Sequence, residues 1–194
     1  MQHPKEEKTF LMVKTDGVRK GLIGEVIKRI EQRDLKIIAL EMFHANREEV
    51  SGHYPNDESW IRKVGEKTLA TYEKYGYDAQ KDMGTKDTLE LGQKIRGWLL
   101  DYLTDAPMVR MIIQGTHAID MVRKIVGDTI PNKAEMGTIR GDFSVDSPTL
   151  ANKEQRAVMN IVHASTTPEE AKHEIKFWFK NKPVFEYRRF GVDE

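Results

Sequence analysis

Two amphipathic segments, each placed between short apolar runs, constrain the fold of this chain more than any other feature. Short runs rich in Val, Ile, Leu and Phe are typical of buried strands, and apolar residues that recur at helical spacing are typical of a helix with one buried face. The pattern predicts strands at residues 9–13, 36–43, 109–113 and about 158–162, and helices at about 21–30 and 116–126. A strand–helix–strand unit therefore occurs twice in the sequence.

Four short strands with helices of ordinary length favour the α+β class. We predict a ferredoxin-like βαββαβ core, in which a four-stranded antiparallel sheet carries helices on one face. In this topology the first and fourth strands are neighbours at the centre of the sheet. The 194 residues suffice for one domain, 1–194, of which residues 1–8 are expected to form a disordered tail.

Three segments fall outside this core. Residues 56–93 predict an extra helical insertion, for which packing on the flank of the domain is favoured over a role as an active-site lid. An amphipathic helix follows, with Ile95, Trp98, Leu99 and Tyr102 on one face. The long irregular stretch from Asp128 to about Arg156 carries Thr129 and Arg140, and a loop of this length in a compact domain is usually functional or disordered.

Composition excludes several classes of protein. The 31 basic and 31 acidic side chains cancel, so that no global field attracts polyanions and no nucleic-acid partner is expected. The absence of cysteine excludes disulfides, thiolate nucleophiles and cysteine-ligated metals. No apolar run approaches the roughly 18 residues of a membrane span, and residues 1–9 have no apolar signal-peptide core. A cytoplasmic protein without a membrane partner is expected.

His163 is the first candidate for chemistry. It ends the apolar run of the fourth strand, where a neutral imidazole can act as a nucleophile. A lone histidine at the end of a strand is more often structural, but helical geometry places Glu174 beside the buried face of the last helix, about 169–180, and turns His173 towards solvent. A carboxylate that accepts one ring N–H would leave the other ring nitrogen free to attack.

Three basic residues at the ends of elements are further candidates. Lys14 follows the first strand, Arg123 lies in the second core helix, and Arg140 lies in the long loop. Each alone is most simply a solvated surface charge, and they matter only if the fold brings them together. The sequence has no glycine-rich phosphate loop that ends in Gly-Lys-Ser/Thr, no Gly-x-Gly-x-x-Gly, and no spacing typical of a metal site.

Several motifs together resemble those of nucleoside diphosphate kinases. The resemblance covers about residues 9–179 apart from two insertions, at about 56–93 and 146–157. It rests on the following residues: Lys14-Thr15-Asp16-Gly17-Val18, His53-Tyr54, Arg123, Gly127-Asp128-Thr129, Pro131, Gly137-Thr138-Ile139-Arg140-Gly141-Asp142-Phe143, Asn160-Ile161-Val162-His163-Ala164-Ser165 and Glu174. The Gly-Thr-Ile-Arg-Gly-Asp-Phe and Asn-x-x-His elements are the most specific.

The resemblance implies a ping-pong transfer of a γ-phosphoryl group from a nucleoside triphosphate to a nucleoside diphosphate through a phosphohistidine. It further implies Mg²⁺ on the nucleotide and assembly into a homo-oligomer, a hexamer or a tetramer. By the resemblance, His163 is the phosphorylated nucleophile and Glu174 its orienting partner. The nucleotide contacts that it implies are Lys14, Tyr54, Arg123, Thr129 and Arg140 for phosphates, Lys14 and Asn160 for ribose hydroxyls, Leu99 near the base, and Ser165 beside the histidine.

The chain departs from the family pattern at several positions. Thr15 stands in place of the usual proline, and Ala164 and Thr166 replace a glycine and an aspartate. The first insertion displaces the segment that presents an aromatic residue to the base, and that place falls near Ile95 or Trp98.

Two other functions remain open from the sequence. The insertions would suit a nucleotide-binding or scaffold protein that has kept the fold and lost turnover. A phosphohistidine relay that passes its phosphoryl group to another protein is the third possibility.

Overall fold

Four strands form one antiparallel sheet in the computed structural model, which describes residues 6–189. The strands are β1 (Glu7–Val13), β2 (Lys36–Phe43), β3 (Met108–Gly115) and β4 (Val162–Ala164). Their order in the sheet is β2-β3-β1-β4, and every neighbouring pair is antiparallel. The predicted α+β class with a four-stranded antiparallel sheet is confirmed.

Ten α-helices and a 3-10 turn at Pro131–Lys133 lie in the described part of the chain. The helices are α1 (Thr15–Arg19), α2 (Ile23–Glu31), α3 (Arg47–His53), α4 (Glu58–Lys74), α5 (Ala79–Met83), α6 (Thr88–Thr104), α7 (Ala118–Val126), α8 (Ile139–Phe143), α9 (Pro148–Lys153) and α10 (Pro168–Trp178). No helix among residues 6–189 is both long enough and apolar enough to cross a membrane.

Both faces of the sheet are covered, because successive side chains of a strand point to opposite faces. On β1, Leu11 and Val13 pack in a core with α2 and α7, whereas Phe10 and Met12 pack in a second core that includes Trp178. Helices α3, α6 and α10 contribute to this second core. The prediction of helices on one face describes α2 and α7 and is incomplete for the other face.

The boundaries of two strands differ from the prediction. Strand β1 begins at Glu7, so that Glu7 and Lys8 of the predicted tail belong to the sheet, while residues 1–5 of that tail lie outside the described residues. Strand β4 spans only residues 162–164, since a turn at Ile161 precedes it, and it includes His163. It neighbours β1 as expected but lies at the edge of the sheet, not at its centre.

Local signals were incomplete in two other places. The Asp-Gly pair at residues 16–17 is of a kind typical of turns, but these residues belong to α1. The long stretch from 128 to 156 is not wholly irregular, because the 3-10 turn, α8 and α9 divide it into short segments.

The first insertion forms helices with a small core of their own. Tyr72, Ala79, Met83 and Leu91 are buried together, and α4 packs along α6. The expectation of extra helical structure on the flank of the domain is confirmed. The beginning of α4 also reaches towards Tyr54, whose ring centroid lies 6.3 Å from that of Trp60.

Helices α4 and α6 approach so closely that the contact needs glycine on both sides. A Cβ at Gly65 would lie 1.9 Å from the carbonyl oxygen of Thr88, and a Cβ at Gly92 would lie 2.0 Å from that of Ile61. In contrast, a Cβ at Gly97, also in α6, would meet no atom within 4 Å. The two glycines therefore fix how the insertion sits on the rest of the domain.

We expect Gly92→Ala to lower the free energy of unfolding by about 2 kcal/mol or more, because its methyl group meets backbone that cannot move aside. The matched variant Gly97→Ala should raise it by up to about 1 kcal/mol, since alanine is the better helix former. Urea unfolding of both variants checks this. Equal stabilities for the two would contradict the close contact.

Candidate active site

The ends of β1 and β4 bring the first two candidate residues together. Met12 pairs with His163 across the two strands, and Lys14 follows two residues later. The backbone N–H of Lys14 donates to the carbonyl of Ile161 at 2.8 Å. The expected adjacency of the first and fourth strands is confirmed, with His163 in β4 and Lys14 one residue beyond the end of β1.

Glu174 contacts His163 directly. Its Oε1 lies 2.6 Å from His163 Nε2, and its Oε2 accepts the Ser165 hydroxyl at 2.6 Å. Since a carboxylate can only accept, Nε2 carries the proton and the lone pair of Nδ1 is free. Burial opposes ionisation of Glu174, but the hydrogen bonds from His163 and Ser165, together with the charges of the neighbouring histidines, lower the pKa of Glu174 overall. His173 is exposed, as helical phase predicted.

A strained turn precedes the histidine. Ile161 has φ 67°, a value that is a genuine outlier for a β-branched residue, and the Val162 N–H donates across it to Asn160 O at 2.7 Å. Asp16 holds this turn, since its Oδ2 accepts the Ile161 N–H at 3.0 Å. Gly17 is required beside it, because a Cβ there would lie 2.8 Å from the Ile161 carbonyl oxygen. Such conformations cost of order 1–3 kcal/mol and persist only where the surroundings impose them.

Lys14 is a buried cation, and no carboxylate among residues 6–189 is bonded to its ammonium group. Its Nζ donates to Asn160 Oδ1 at 2.8 Å and lies 5.5 Å from the centroid of the Tyr102 ring. Burial, followed by the charge of Arg140, lowers the pKa of Lys14 to about 8 against the opposing effect of Asp16. Burial therefore opposes the charged form of Lys14, and a bound anion would stabilise it.

Arg140 serves the backbone as well as the site. Its guanidinium donates to the carbonyls of Asn160 at 3.1 Å, Gly127 at 2.7 Å and Val162 at 2.7 Å. Burial, and then the charge of Arg123, lowers the pKa of Arg140 to about 10. Three bonds leave two of its five N–H groups for a ligand.

Arg123 and Thr129 lie next to Arg140. Arg123 is half-buried and lines a cavity of about 630 Å³ together with Gly127 and Asp128. Thr129 is exposed, and its carbonyl accepts a hydrogen bond from Asn160 Nδ2 at 2.9 Å. The structure thus brings together the basic residues that the sequence scatters over β1, α7 and the long loop.

Tyr54 also lies at the site, and Leu99 lies on helix α6. The Tyr54 ring stands 4.9 Å from that of His53, and burial beside Glu174 raises the pKa of Tyr54. Leu99 is half-buried on α6, one turn before Tyr102. Its contact with a ligand stays a prediction. The unusual Thr15 donates its hydroxyl to the Tyr102 carbonyl at 2.8 Å and so joins the start of α1 to α6.

Sequence reasoning missed three residues of the site. His53 stands perpendicular to His163 at 5.1 Å between ring centroids and accepts the indole N–H of Trp178 at 3.3 Å. Asp16 accepts the Tyr102 hydroxyl at 2.5 Å as well as the Ile161 N–H. His53 and Asp16 stand in the motifs that carry the family resemblance, and Tyr102 lies on the predicted apolar face of α6, but no sequence pattern assigns any of them a role at the site.

One group of potential metal ligands occurs among the described residues. Ligand atoms of His53, His163 and Glu174 lie within 4.8 Å of one another. Their nitrogen-rich donor set differs from the all-oxygen set that Mg²⁺ prefers, and the carboxylate is already bonded to His163 and Ser165. A magnesium ion at this site would therefore have to be held chiefly by oxygen atoms of a bound substrate, and not by these three residues.

Comparison with known proteins identifies a family. A family model described as "Nucleoside diphosphate kinase" matches residues 7–61 and 92–184. The unmatched residues between these ranges fall within the first insertion, and they include most of α4 and all of α5.

Individual relatives cover almost the whole chain. A nucleoside diphosphate kinase of Pyrobaculum aerophilum is 48% identical over 180 residues, which are 93% of this chain and 98% of the relative. A crystal structure of an NDP kinase from the same organism matches with a TM-score of 0.88 at 46% identity, over 93% of this chain and all of that one. A Borrelia burgdorferi nucleoside-diphosphate kinase, solved as a transition state mimic with vanadate and ADP, matches with a TM-score of 0.72 at 30% identity, over 94% and 92%.

The buried His53 makes the fold sensitive to acid. Burial, followed by the charge on His163, lowers the pKa of His53 to about 3, whereas an unfolded histidine titrates near 6.5. Between these values the unfolded chain binds more protons, so that stability falls as the pH drops through this window. We expect His53→Asn, which keeps an acceptor for Trp178, to show a shallower loss of melting temperature between pH 7 and 4. Exposed His173→Asn is the control, and parallel slopes for His53→Asn and the unmodified chain would contradict the assignment.

Proposed function

Since the chain belongs to the nucleoside diphosphate kinase family, we propose that His163 carries the phosphoryl group in its reaction. The protein transfers the γ-phosphoryl group of a nucleoside triphosphate to a nucleoside diphosphate. The observation that carries the proposal is the 2.6 Å contact between His163 Nε2 and Glu174 Oε1, since it leaves Nδ1 as the unprotonated ring nitrogen.

In the first half of the reaction, the lone pair of His163 Nδ1 attacks the γ-phosphorus. The N–P bond forms as the bond from phosphorus to the β,γ-bridging oxygen breaks, and the departing diphosphate takes that electron pair. The imidazole becomes positively charged and keeps its Nε2–H on Glu174, whose buried carboxylate balances the charge. A nucleoside diphosphate then enters and its terminal oxygen attacks the same phosphorus, while the N–P bond breaks and its electron pair returns to Nδ1, which restores the neutral histidine.

The cations would stabilise the charge of the transferring group. Phosphoryl transfer asks little of the protein beyond an in-line nucleophile and positive charge over the equatorial oxygens. In our proposal Lys14, Arg123 and Arg140 supply that charge, and Tyr54 and Thr129 add contacts to the phosphates. The pKa values support this: burial lowers both, and a neighbouring cation lowers each further, Arg140 in the case of Lys14 and Arg123 in the case of Arg140, so that an anionic ligand would stabilise the charged forms.

Lys14 and Asn160 are proposed to bind the ribose hydroxyls. The Asn160 side chain already joins Lys14 Nζ to the carbonyl of Thr129, and thus the ribose and phosphate contacts are held by one network. Leu99 is proposed to lie near the base, and Ser165 to support Glu174.

A divalent metal is generally required by kinases, and we propose Mg²⁺ for this one. It would enter on the nucleotide phosphates and would supply charge neutralisation there. Both oxygens of the Glu174 carboxylate are already bonded, to His163 and Ser165, which supports a metal bound through the phosphates.

The remaining parts of the proposal concern the molecule as a whole. We propose that residues 1–194 act as one domain, that the protein is cytoplasmic, and that it forms a homo-oligomer, a hexamer or a tetramer. Exposed Leu40 and Met42 on the edge strand β2 support association between copies.

Incubation with γ-labelled ATP should give an acid-labile, base-stable phosphoenzyme, as expected for a phosphorylated imidazole. His163→Ala should abolish the label and reduce exchange into GDP by at least about a thousandfold, since the nucleophile is lost. Exposed His173→Ala is the control and should retain both. Label retained in His163→Ala would refute the assignment, and binding of ADP without exchange by the unmodified protein would favour the scaffold alternative.

The pH dependence of kcat/KM should report Lys14. Its side chain is a charged ammonium group below the pKa of about 8 and a neutral amine above it. Nucleotide binding by the free enzyme therefore weakens as the pH rises. We expect kcat/KM to fall about tenfold per unit well above pH 8. Lys14→Gln should have a low value without this decline. A flat profile to pH 10 in the unmodified enzyme would contradict the role of Lys14.

A further inference from the structure

The two insertions, which lie far apart in the sequence, pack against each other. Helix α4 contacts α9, Lys153 Nζ lies 3.9 Å from the centroid of the Tyr77 ring, and Gln155 Nε2 donates to the Asp82 carbonyl at 3.2 Å. We call the two segments, residues 58–83 and 146–157, the insertion clasp. Its second segment is followed directly by residues 158–162, which precede His163.

Asp146 links the insertion clasp to the segment that precedes His163. The residue is buried, and both of its carboxylate oxygens bond to the Arg156 guanidinium, at 2.6 and 3.1 Å. Oδ2 also accepts the backbone N–H of Met159 at 2.7 Å, and Oδ1 accepts that of Ser147 at 2.9 Å. Burial opposes ionisation, but these bonds outweigh it and lower the pKa of Asp146, so that the carboxylate is charged at neutral pH.

The backbone of Met159 is held on both sides. Its N–H is bonded to Asp146, and its carbonyl accepts the Ser144 hydroxyl at 2.7 Å. The next residue is Asn160, whose side chain bonds Lys14 and the Thr129 carbonyl. A displacement at Met159 would therefore reach the two side chains that we assign to the ribose.

A contribution to stability alone does not account for this arrangement. A buried ion pair often contributes no more to stability than well-packed apolar residues would, because both charges lose their water. Asp146 instead gathers several donors from one short segment and so fixes its path.

We propose that Asp146 is a positioning residue for nucleotide binding, which fixes the Met159 backbone and so holds Asn160 and Lys14 in the geometry that recognises ribose hydroxyls. The inference rests on the proposed function of this site. It also gives the insertions a role, since the clasp supports the segment that Asp146 holds.

The test compares a nucleoside diphosphate with its 2′,3′-dideoxy analogue as phosphoryl acceptor. The unmodified enzyme should prefer the diphosphate with hydroxyls about tenfold or more in kcat/KM, as expected for a hydrogen bond to a charged group. Asp146→Asn offers one carbonyl oxygen in place of two carboxylate oxygens, and loses either the Met159 N–H or the full Arg156 contact. We expect the preference to shrink at least severalfold in this variant, chiefly through a higher KM for the hydroxylated acceptor.

Glu58→Gln is the matched control. Glu58 is an exposed carboxylate of the same clasp with one arginine partner, Arg62, at 2.7 Å, and its removal should leave the preference unchanged. A lower melting temperature of Asp146→Asn with an unchanged preference would show a structural role alone and overturn the proposal.

A second variant keeps the proposal testable if Asp146→Asn does not fold. Ser144→Ala leaves the Asp146 carboxylate in place and releases the carbonyl of Met159, together with the long 3.4 Å bond that the Asp146 N–H donates to the hydroxyl. It should reduce the preference to a smaller degree, and no reduction would overturn the proposal. Failure of the unmodified enzyme to phosphorylate any nucleotide would instead refute the proposed function, and the two failures are therefore distinguishable.

Discussion

The buried guanidinium of Arg140 is the interaction on which the rest of the site depends. Its bonds to the carbonyls of Asn160 and Val162 enclose the strained Ile161 from both sides, and its bond to Gly127 ties this turn to the end of α7. Asp16 completes the enclosure through the Ile161 N–H. The loop before His163 therefore keeps an unfavourable backbone conformation, because charged side chains impose it from two directions.

Much of the site could be predicted because its logic is local. The orientation of Glu174 follows from its phase within one helix, and the proximity of Lys14 and His163 follows from the pairing of two strands. Asp16 could not be found in this way, since its partners Tyr102 and Ile161 lie 86 and 145 residues away. The Asp-Gly sequence at that point also has an ordinary interpretation as a turn, which concealed the helix α1.

The fold was predicted to a similar depth. Apolar runs located β2 at its observed bounds, and periodicity located α2 and α7, because burial on one side leaves a regular pattern. The pattern could not reveal that helices cover the second face of the sheet as well. A strand that is buried on both faces is a continuous apolar run, and such a run does not indicate which elements pack on either face. The start of β4 was misplaced for a different reason: the positive φ of Ile161 is a tertiary constraint without a signature in an apolar run.

The C-terminal segment has a consequence for the edge of the sheet. Strand β2 lies at one edge of the sheet, where β3 is its neighbouring strand. The segment that follows α10 runs along this edge, and its Phe185 N–H donates to the Ile38 carbonyl at 2.8 Å. The Tyr187 hydroxyl adds a bond to Ile37 O. The segment thus caps the first half of an edge strand that would otherwise offer its whole length to another chain. Because only the second half stays accessible, strand-to-strand stacking of many copies into an open-ended sheet is disfavoured, while a short pairing of limited register is still permitted.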